Sequence, residues 1–241
     1  MESHTKGHSE KVFQDKVVQE LKKYKWEAPE FLDGNTHRVT VDDLIVHWRQ
    51  ELNRLNAEQL ENVPLTDNEF AQVMQQVDQI ANSYDAAKIL AMEDSKGKID
   101  GIYRDSKPGI TRRQITLTIF KKAEVGGGDS SYKIAREVVS PSNSSKGENR
   151  FDLILLINGL PLINIEQKRG DKSLDFAFGQ FKRYYEDGEY RHNFLAFSQM
   201  MVCMSDIETR YFATPKSAKE FNPSFVFHWA DKDNRPVNDW K

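Results

Sequence analysis

Apolar residues recur at three- and four-residue spacings over three stretches of the first 92 residues, and beyond them the pattern turns to alternation. The first stretch starts at Glu10, where Val12, Phe13, Val17 and Leu21 share a helical face and Ser9 is placed as the cap. The polar residues 1–9 read as frayed, and Tyr24 and Trp26 are placed to close this helix against a core. A second amphipathic helix is expected over 41–55, carrying Leu44, Ile45, Trp48, Leu52 and Leu55. A third is expected over 67–92, with a break near Asn82 and Ser83.

Residues 93–98 form a polar turn, and strands are expected over 99–103, 114–120 and 132–139. The last of these follows Gly126, Gly127 and Gly128, and a long loop is expected over 140–149. Two apolar runs, 153–157 and 160–165, then flank Asn158 and Gly159, a strong hairpin signal. Nearly every position in both runs is apolar, so both faces of the hairpin should be covered. A helix is expected over 174–185 and strands over 194–204 and 209–213. The polar tail from 226 to 241 reads as a linker into further sequence, and there is no internal repeat.

Composition narrows the class. Of 241 residues, 38% are hydrophobic and 29% charged, the balance of a water-soluble chain with a real core. A net charge of −3 argues against a tight, autonomous nucleic-acid binder, because phosphate affinity rests on an excess of Lys and Arg. That objection lapses if a larger assembly supplies the affinity. Cys203 is the only cysteine, which excludes an intrachain disulfide and a thiolate metal cluster and fits a reducing, cytoplasmic compartment. No run approaches the 18 apolar residues of a membrane span, and the polar start is no signal peptide. Gly126–Gly128 is not followed by the Gly-Lys-Ser/Thr of a phosphate loop. The six histidines, His4 and His8 among them, show no zinc-ligand pattern.

The hairpin carries the candidate chemistry. A three-residue connection, 158–160, sets Asp152 directly opposite Glu166; a two- or four-residue one shifts the pairing by one place and needs a bulge to restore it. Either arrangement is expected to bring Asp152, Glu166 and Lys168 to one face. Two such carboxylates repel, and a divalent cation between them removes the repulsion. Mg²⁺ takes one or two carboxylates and completes its octahedron with waters and substrate phosphate. A lysine beside it can orient or deprotonate water or stabilise a phosphorane. Glu-x-Lys alone is more often a solvated edge or an ion pair; an Asp across a buried hairpin strengthens the case for metal-assisted phosphodiester hydrolysis, with a structural role still the competing reading.

The segment from Arg150 to Arg169, with Asn158-Gly159-Leu160-Pro161-Leu162 at its turn, resembles the PD-(D/E)xK nuclease signature, and closely the N-terminal nuclease segment of type I restriction enzyme R subunits. The family's next motif, Q-x-x-x-Y, is matched by Gln180 and Tyr184; its T-R-Y-F by Thr209, Arg210, Tyr211 and Phe212; its opening-helix acid by Glu10. The likeness is patchy over 27–98 and covers most of the remainder. Phe151 replaces the signature proline, and Gln167 stands where aliphatic residues are usual; neither change removes a metal-ligating side chain.

The resemblance implies an α/β fold, a mixed sheet flanked by helices, with an N-terminal helical elaboration. Residues 1–98 would be helical with the first helix part of the core, 99–225 the nuclease core, and 226–241 the start of a linker to motor domains. It implies Asp152, Glu166 and the Gln167 carbonyl as Mg²⁺ ligands and Lys168 as the catalytic lysine. Glu10 is an accessory acid or simply an acid favoured by a helix dipole. Gln180 and Tyr184, one turn apart, are accessory groups that contact DNA or orient Lys168, with ordinary packing the alternative for Tyr184. Arg210 binds phosphate or braces the fold. Lys172, Lys182 and Arg183 interleave with Phe176, Phe178 and Phe181, as a DNA-facing strip or, more simply, a solvated helix face. Implied partners are double-stranded DNA and the methyltransferase and specificity subunits, with ATP used only by motor domains elsewhere. A non-catalytic module for DNA clamping or motor docking, or a repair nuclease, are the competing readings.

Overall fold

The computed structural model describes residues 3–91, 96–121, 128–141, 147–237 and 239–240. Helix α1, Ser3–Lys22, starts earlier than the pattern suggested, so Ser9 lies inside it rather than capping it. Helices α2 (Val41–Leu55) and α3 (Asp67–Val77) each open with a reciprocal capping box, Thr40 with Asp43 and Thr66 with Glu69. The expected break in the third helical stretch falls at Asn82, whose side chain accepts from the N–H groups of Tyr84 and Asp85 and so begins a separate helix α4, Ser83–Leu90. Met92 and Gly126–Gly127 lie outside the described residues, as does much of the 140–149 loop.

Strands β1 (Lys96–Tyr103) and β2 (Gln114–Lys121) pair only with each other. They pack on α2, α3 and α4, with Ile99, Ile102, Ile115, Leu117 and Ile119 buried. The main sheet has six strands in sequential order: β3 (Tyr132–Ser140), β4 (Asn149–Ile157), β5 (Leu160–Gln167), β6 (Met200–Met204), β7 (Thr209–Ala213) and β8 (Phe227–His228). Only β5 and β6 run parallel, and helix α5 (Asp175–Glu186) lies in the crossover between them. The architecture is therefore α/β, a mixed sheet flanked by helices.

Further expectations need correcting. Strand β1 begins at Lys96, inside the turn expected over 93–98. Residues 194–204 are not one strand: Phe194–Phe197 is a 3-10 turn that buries two phenylalanines, and β6 starts at Met200. Trp26 packs edge-on against Tyr132, whereas Tyr24 is exposed, so only one of the pair closes onto the core. Within the tail, Phe227 and His228 pair with β7 and extend the sheet.

Alternation along the hairpin strands divides the interior in two. Leu153, Leu155 and Ile165 face α1 and meet Phe13, Val17 and Val18. Ile154 and Leu156 face the other way, into the cluster shared with Ala177, Phe181 and Tyr184 of α5 and with Trp48 of α2. Both faces are covered, which explains why the two runs are almost wholly apolar.

The hairpin turn is the two-residue Asn158-Gly159, with φ of +52° and +79°. Positive φ at both central residues suits the right-handed twist of the strands. Glycine is needed at 159 for a second reason: a Cβ there would sit 2.8 Å from the Trp48 Cα of α2. Asn158 is buried and accepts from the Ser131 N–H at 2.9 Å, which ties the turn to the start of β3.

Candidate active site

The short turn puts the hairpin out of the register that pairs Asp152 with Glu166, and one irregularity restores it. Ile157 faces Leu160 and Leu156 faces Pro161 beside the turn; past a shift between Leu155 and Leu156, Leu155 faces Ile163 and Leu153 faces Ile165. One step further sets Asp152 opposite Glu166. This is the second of the two arrangements expected, a two-residue loop with a compensating bulge. Both carboxylates share the sheet face covered by α5.

Beyond Leu153 a side chain continues the ladder. Asp152 Oδ2 accepts from the backbone N–H of Gln167 at 2.7 Å. Burial pushes the Asp152 carboxyl up to about 6, against the pull of that N–H and of the Lys168 charge, with the Glu137 charge adding to the rise. Glu166 is only 1% exposed and neither of its oxygens has a hydrogen-bond partner among the described residues. Its burial, then the Asp152 charge, hold its carboxyl well above the usual range. Lys168 Nζ lies 3.9 Å from Glu166 Oε2 and donates to the Gln167 carbonyl at 2.9 Å. The carbonyl read as a third metal ligand is thus engaged by the lysine.

A buried carboxylate without donors is costly, and a second carboxylate beside it worsens the cost. A hard divalent cation reverses both effects, and an all-oxygen donor set suits Mg²⁺ better than zinc. Among the described residues no three His, Cys, Asp or Glu side chains cluster as a closed cage. One carboxylate lining a cleft, Asp152, with a second buried behind it, Glu166, fits an ion that keeps waters and a substrate phosphate.

That cleft has a volume of about 530 Å³ and is lined by Glu10, Asp152, Lys168, Gln180, Arg183 and Tyr184 among others. Glu10, on α1, is exposed at its rim. Tyr184 is 1% exposed, and its hydroxyl donates to the Arg150 carbonyl while accepting from Gln180 Nε2. The hydroxyl therefore fastens α5 to β4 two residues before Asp152, and Gln180 is the member of the pair that faces the cleft opening. Arg210 lies elsewhere: it donates to Glu208 at 2.6 Å and to Asp175 at 3.0 Å, pinning β7 to the first turn of α5. It does not line this cleft.

Two residues that sequence reasoning passed over support Asp152 from behind. Gln14 of α1, 3% exposed, donates from Nε2 to Glu137 Oε1 at 2.8 Å and to the Asp152 carbonyl at 3.2 Å. Its Oε1 accepts from Arg136 Nε at 3.0 Å. Glu137 pairs with Arg150 at 3.1 Å and holds φ at +50°, where the β3–β4 pairing passes from Arg136↔Leu153 to Val138↔Phe151. A polar residue directly after Phe13 on an apolar face was the available signal for Gln14; nothing in the alternation of β3 singles out Glu137.

Comparison with known proteins adds an independent finding. Residues 8–220 match the family described as type I restriction enzyme R protein N terminus. The chain is 31% identical over 207 residues to the type I restriction enzyme SauCOLORF180P endonuclease subunit of Staphylococcus aureus (strain COL), covering 83% of this chain and 20% of the relative. It is 28% identical over 200 residues to the SsaAORF53P endonuclease subunit of Staphylococcus saprophyticus, covering 81% and 19%. It is 29% identical over 146 residues to the EcoprrI endonuclease subunit of Escherichia coli, covering 60% and 40%. The chain thus spans about one fifth of the length of the staphylococcal relatives.

Proposed function

Because the chain belongs to the family of type I restriction enzyme R protein N-terminal regions, we propose that it is the endonuclease module of such a subunit and hydrolyses DNA phosphodiester bonds with Mg²⁺. The observation that carries this reading is the pairing of Asp152 with a buried, donor-free Glu166 beside Lys168. A chain that kept this hairpin only to dock a motor would be more stable with apolar residues there.

Asp152 and Glu166 would hold the ion, which when bound polarises a phosphodiester oxygen and acidifies a bound water. Lys168 carries its ammonium at the mouth of the cleft, 19% exposed, where it positions the attacking water or offsets charge growing on the phosphorane. Gln180 offers an amide donor to a phosphate oxygen, and Tyr184 keeps the end of β4 in place through Arg150. Glu10 acts from the rim as an accessory acid. We place the catalytic unit in α1 and the six-stranded sheet with α5, leaving α2–α4 and the β1–β2 pair as the elaboration.

In the full-length protein this module would act with methyltransferase and specificity subunits, at DNA delivered by ATP-driven translocation. One site cuts one strand, so a double-strand break would need two. The test is cleavage of plasmid DNA with Mg²⁺ and ATP by the full-length subunit assembled with its partners. Wild type should cut, and Lys168→Ala should translocate without cutting. Equal cutting by both would make the hairpin structural and send the search for the nuclease elsewhere.

A further inference from the structure

A second groove opens beside the cleft along the outer edge of α5. It has a volume of about 580 Å³ and shares Glu10, Lys168, Gln180 and Arg183 with the cleft, so the two are continuous. The residues it adds are Lys172, Asp175, Phe176 and Gly179.

Three features of this groove do not serve the fold. Phe178 and Phe181 of α5 pack against Phe212, but Phe176 on the same helix is 66% exposed. Lys172 and Arg183 form no ion pair with any described residue, although Arg104, Arg136, Arg169 and Arg210 all do. Arg183 instead lies over the Tyr184 ring at 5.3 Å. Gly179 has nothing within 4 Å of where a Cβ would stand, so the helix surface is flat and open between Phe176 and Arg183. Of the two acids in the groove, Asp175 shares the Arg210 guanidinium with Glu208.

An exposed aromatic face between unpaired cations, joined to a phosphodiester-cleaving site, is the arrangement that grips an unstacked base and its flanking phosphates. A base inside an intact duplex cannot offer its face to Phe176. Resting on the nuclease reading above, we propose that the groove of Lys172, Phe176 and Arg183 is a subsite for locally unpaired DNA, with Phe176 stacking on one base next to the scissile phosphate. The module is then selective for distorted or melted DNA rather than indifferent to strand pairing.

The test uses the chain itself with Ca²⁺ in place of Mg²⁺, and two labelled oligonucleotide duplexes, one fully paired and one with a four-nucleotide internal bubble. Wild type should bind the bubble about tenfold more tightly, the size expected for one base on one ring. Phe176→Ala should erase that preference while leaving duplex binding unchanged, and Phe176→Trp should retain it. A 2-aminopurine in the bubble should change fluorescence on binding to wild type and not to Phe176→Ala. Equal binding of both DNAs by wild type, or an undiminished preference in Phe176→Ala, overturns the subsite. If the full-length subunit assembled with its partners still cuts DNA with Mg²⁺ under that outcome, the nuclease reading survives alone; if that assembly does not cut, both fall together.

Discussion

The backbone N–H of Gln167 is bonded to the Asp152 carboxylate, not to a backbone carbonyl. At the point where the β4–β5 ladder stops at Leu153 and Ile165, a side chain takes the place of the next rung. One oxygen of Asp152 is thereby fixed relative to Glu166. The cost is a carboxylate kept close to a second one inside the protein.

That cost gives the stability of the metal-free protein a pH dependence of known sign. The Asp152 carboxyl is raised in the native state from 3.8 to about 6, chiefly by burial. A raised acid contributes stability fully below its unfolded value and loses it as pH rises through its native value. Without divalent metal, the protein should therefore lose roughly 2–3 kcal/mol between pH 4 and pH 7 from this group, with Glu166 acting in the same direction. Urea denaturation across that range in EDTA should show the loss, and Asp152→Asn should make it shallower, leaving the part due to Glu166. Mg²⁺ should restore more stability at pH 7.5 than at pH 5. Parallel profiles for wild type and Asp152→Asn would remove Asp152 from the account.

Much of this site was legible because the hairpin is a local structure with strong constraints. Asn158-Gly159 marks its turn and the apolar runs mark their burial, while the choice between a three-residue connection and a shorter, bulged one was left to the fold. The α2 and α3 starts were readable from apolar spacing alone, and the caps Thr40 and Thr66 that fix them emerge only in the structure. What could not be read depends on partners distant in sequence. Gln14 meets Glu137 across 123 residues and Asp152 across 138. Arg210 carries the same guanidinium whether it binds phosphate or Asp175, and only the fold decides. The β1–β2 pair has ordinary strand alternation, and nothing in that alternation says that it forms a sheet of its own.

Tyr184 and Gln180 separate by what each touches. The Tyr184 hydroxyl is buried and committed to the Arg150 carbonyl. Tyr184→Phe leaves that carbonyl and Gln180 Nε2 without their partner, at a cost of about 1–2 kcal/mol. It should also lower the cleavage rate several-fold at saturating DNA with little change in KM, because it disturbs the strand that carries Asp152. Gln180→Ala should instead raise KM and barely move the unfolding midpoint. The reverse assignment would mean that the Tyr184 hydroxyl itself leaves Arg150 to meet DNA.

A final prediction concerns the part proposed above as the elaboration, where a buried ion pair can be changed without touching the cleft. Arg104 and Glu69 have fully buried side chains and meet at 3.0 Å. Glu69 also accepts from the N–H groups of Thr66 and Asp105, while Arg104 donates to the carbonyls of Leu60 and Val63. Glu69→Ala strands the guanidinium and removes the N3 half of the α3 capping box, and should cost about 3–5 kcal/mol. Adding Arg104→Met removes the stranded charge and should recover part of the loss, since a buried pair is held against a large desolvation penalty. Chemical denaturation of the two single variants and the double variant measures the coupling. Cleavage measured well below the unfolding midpoint should stay near wild type in the double variant, because none of these residues lines the cleft. A large loss of activity in a variant that remains folded would show instead that the elaboration positions the site.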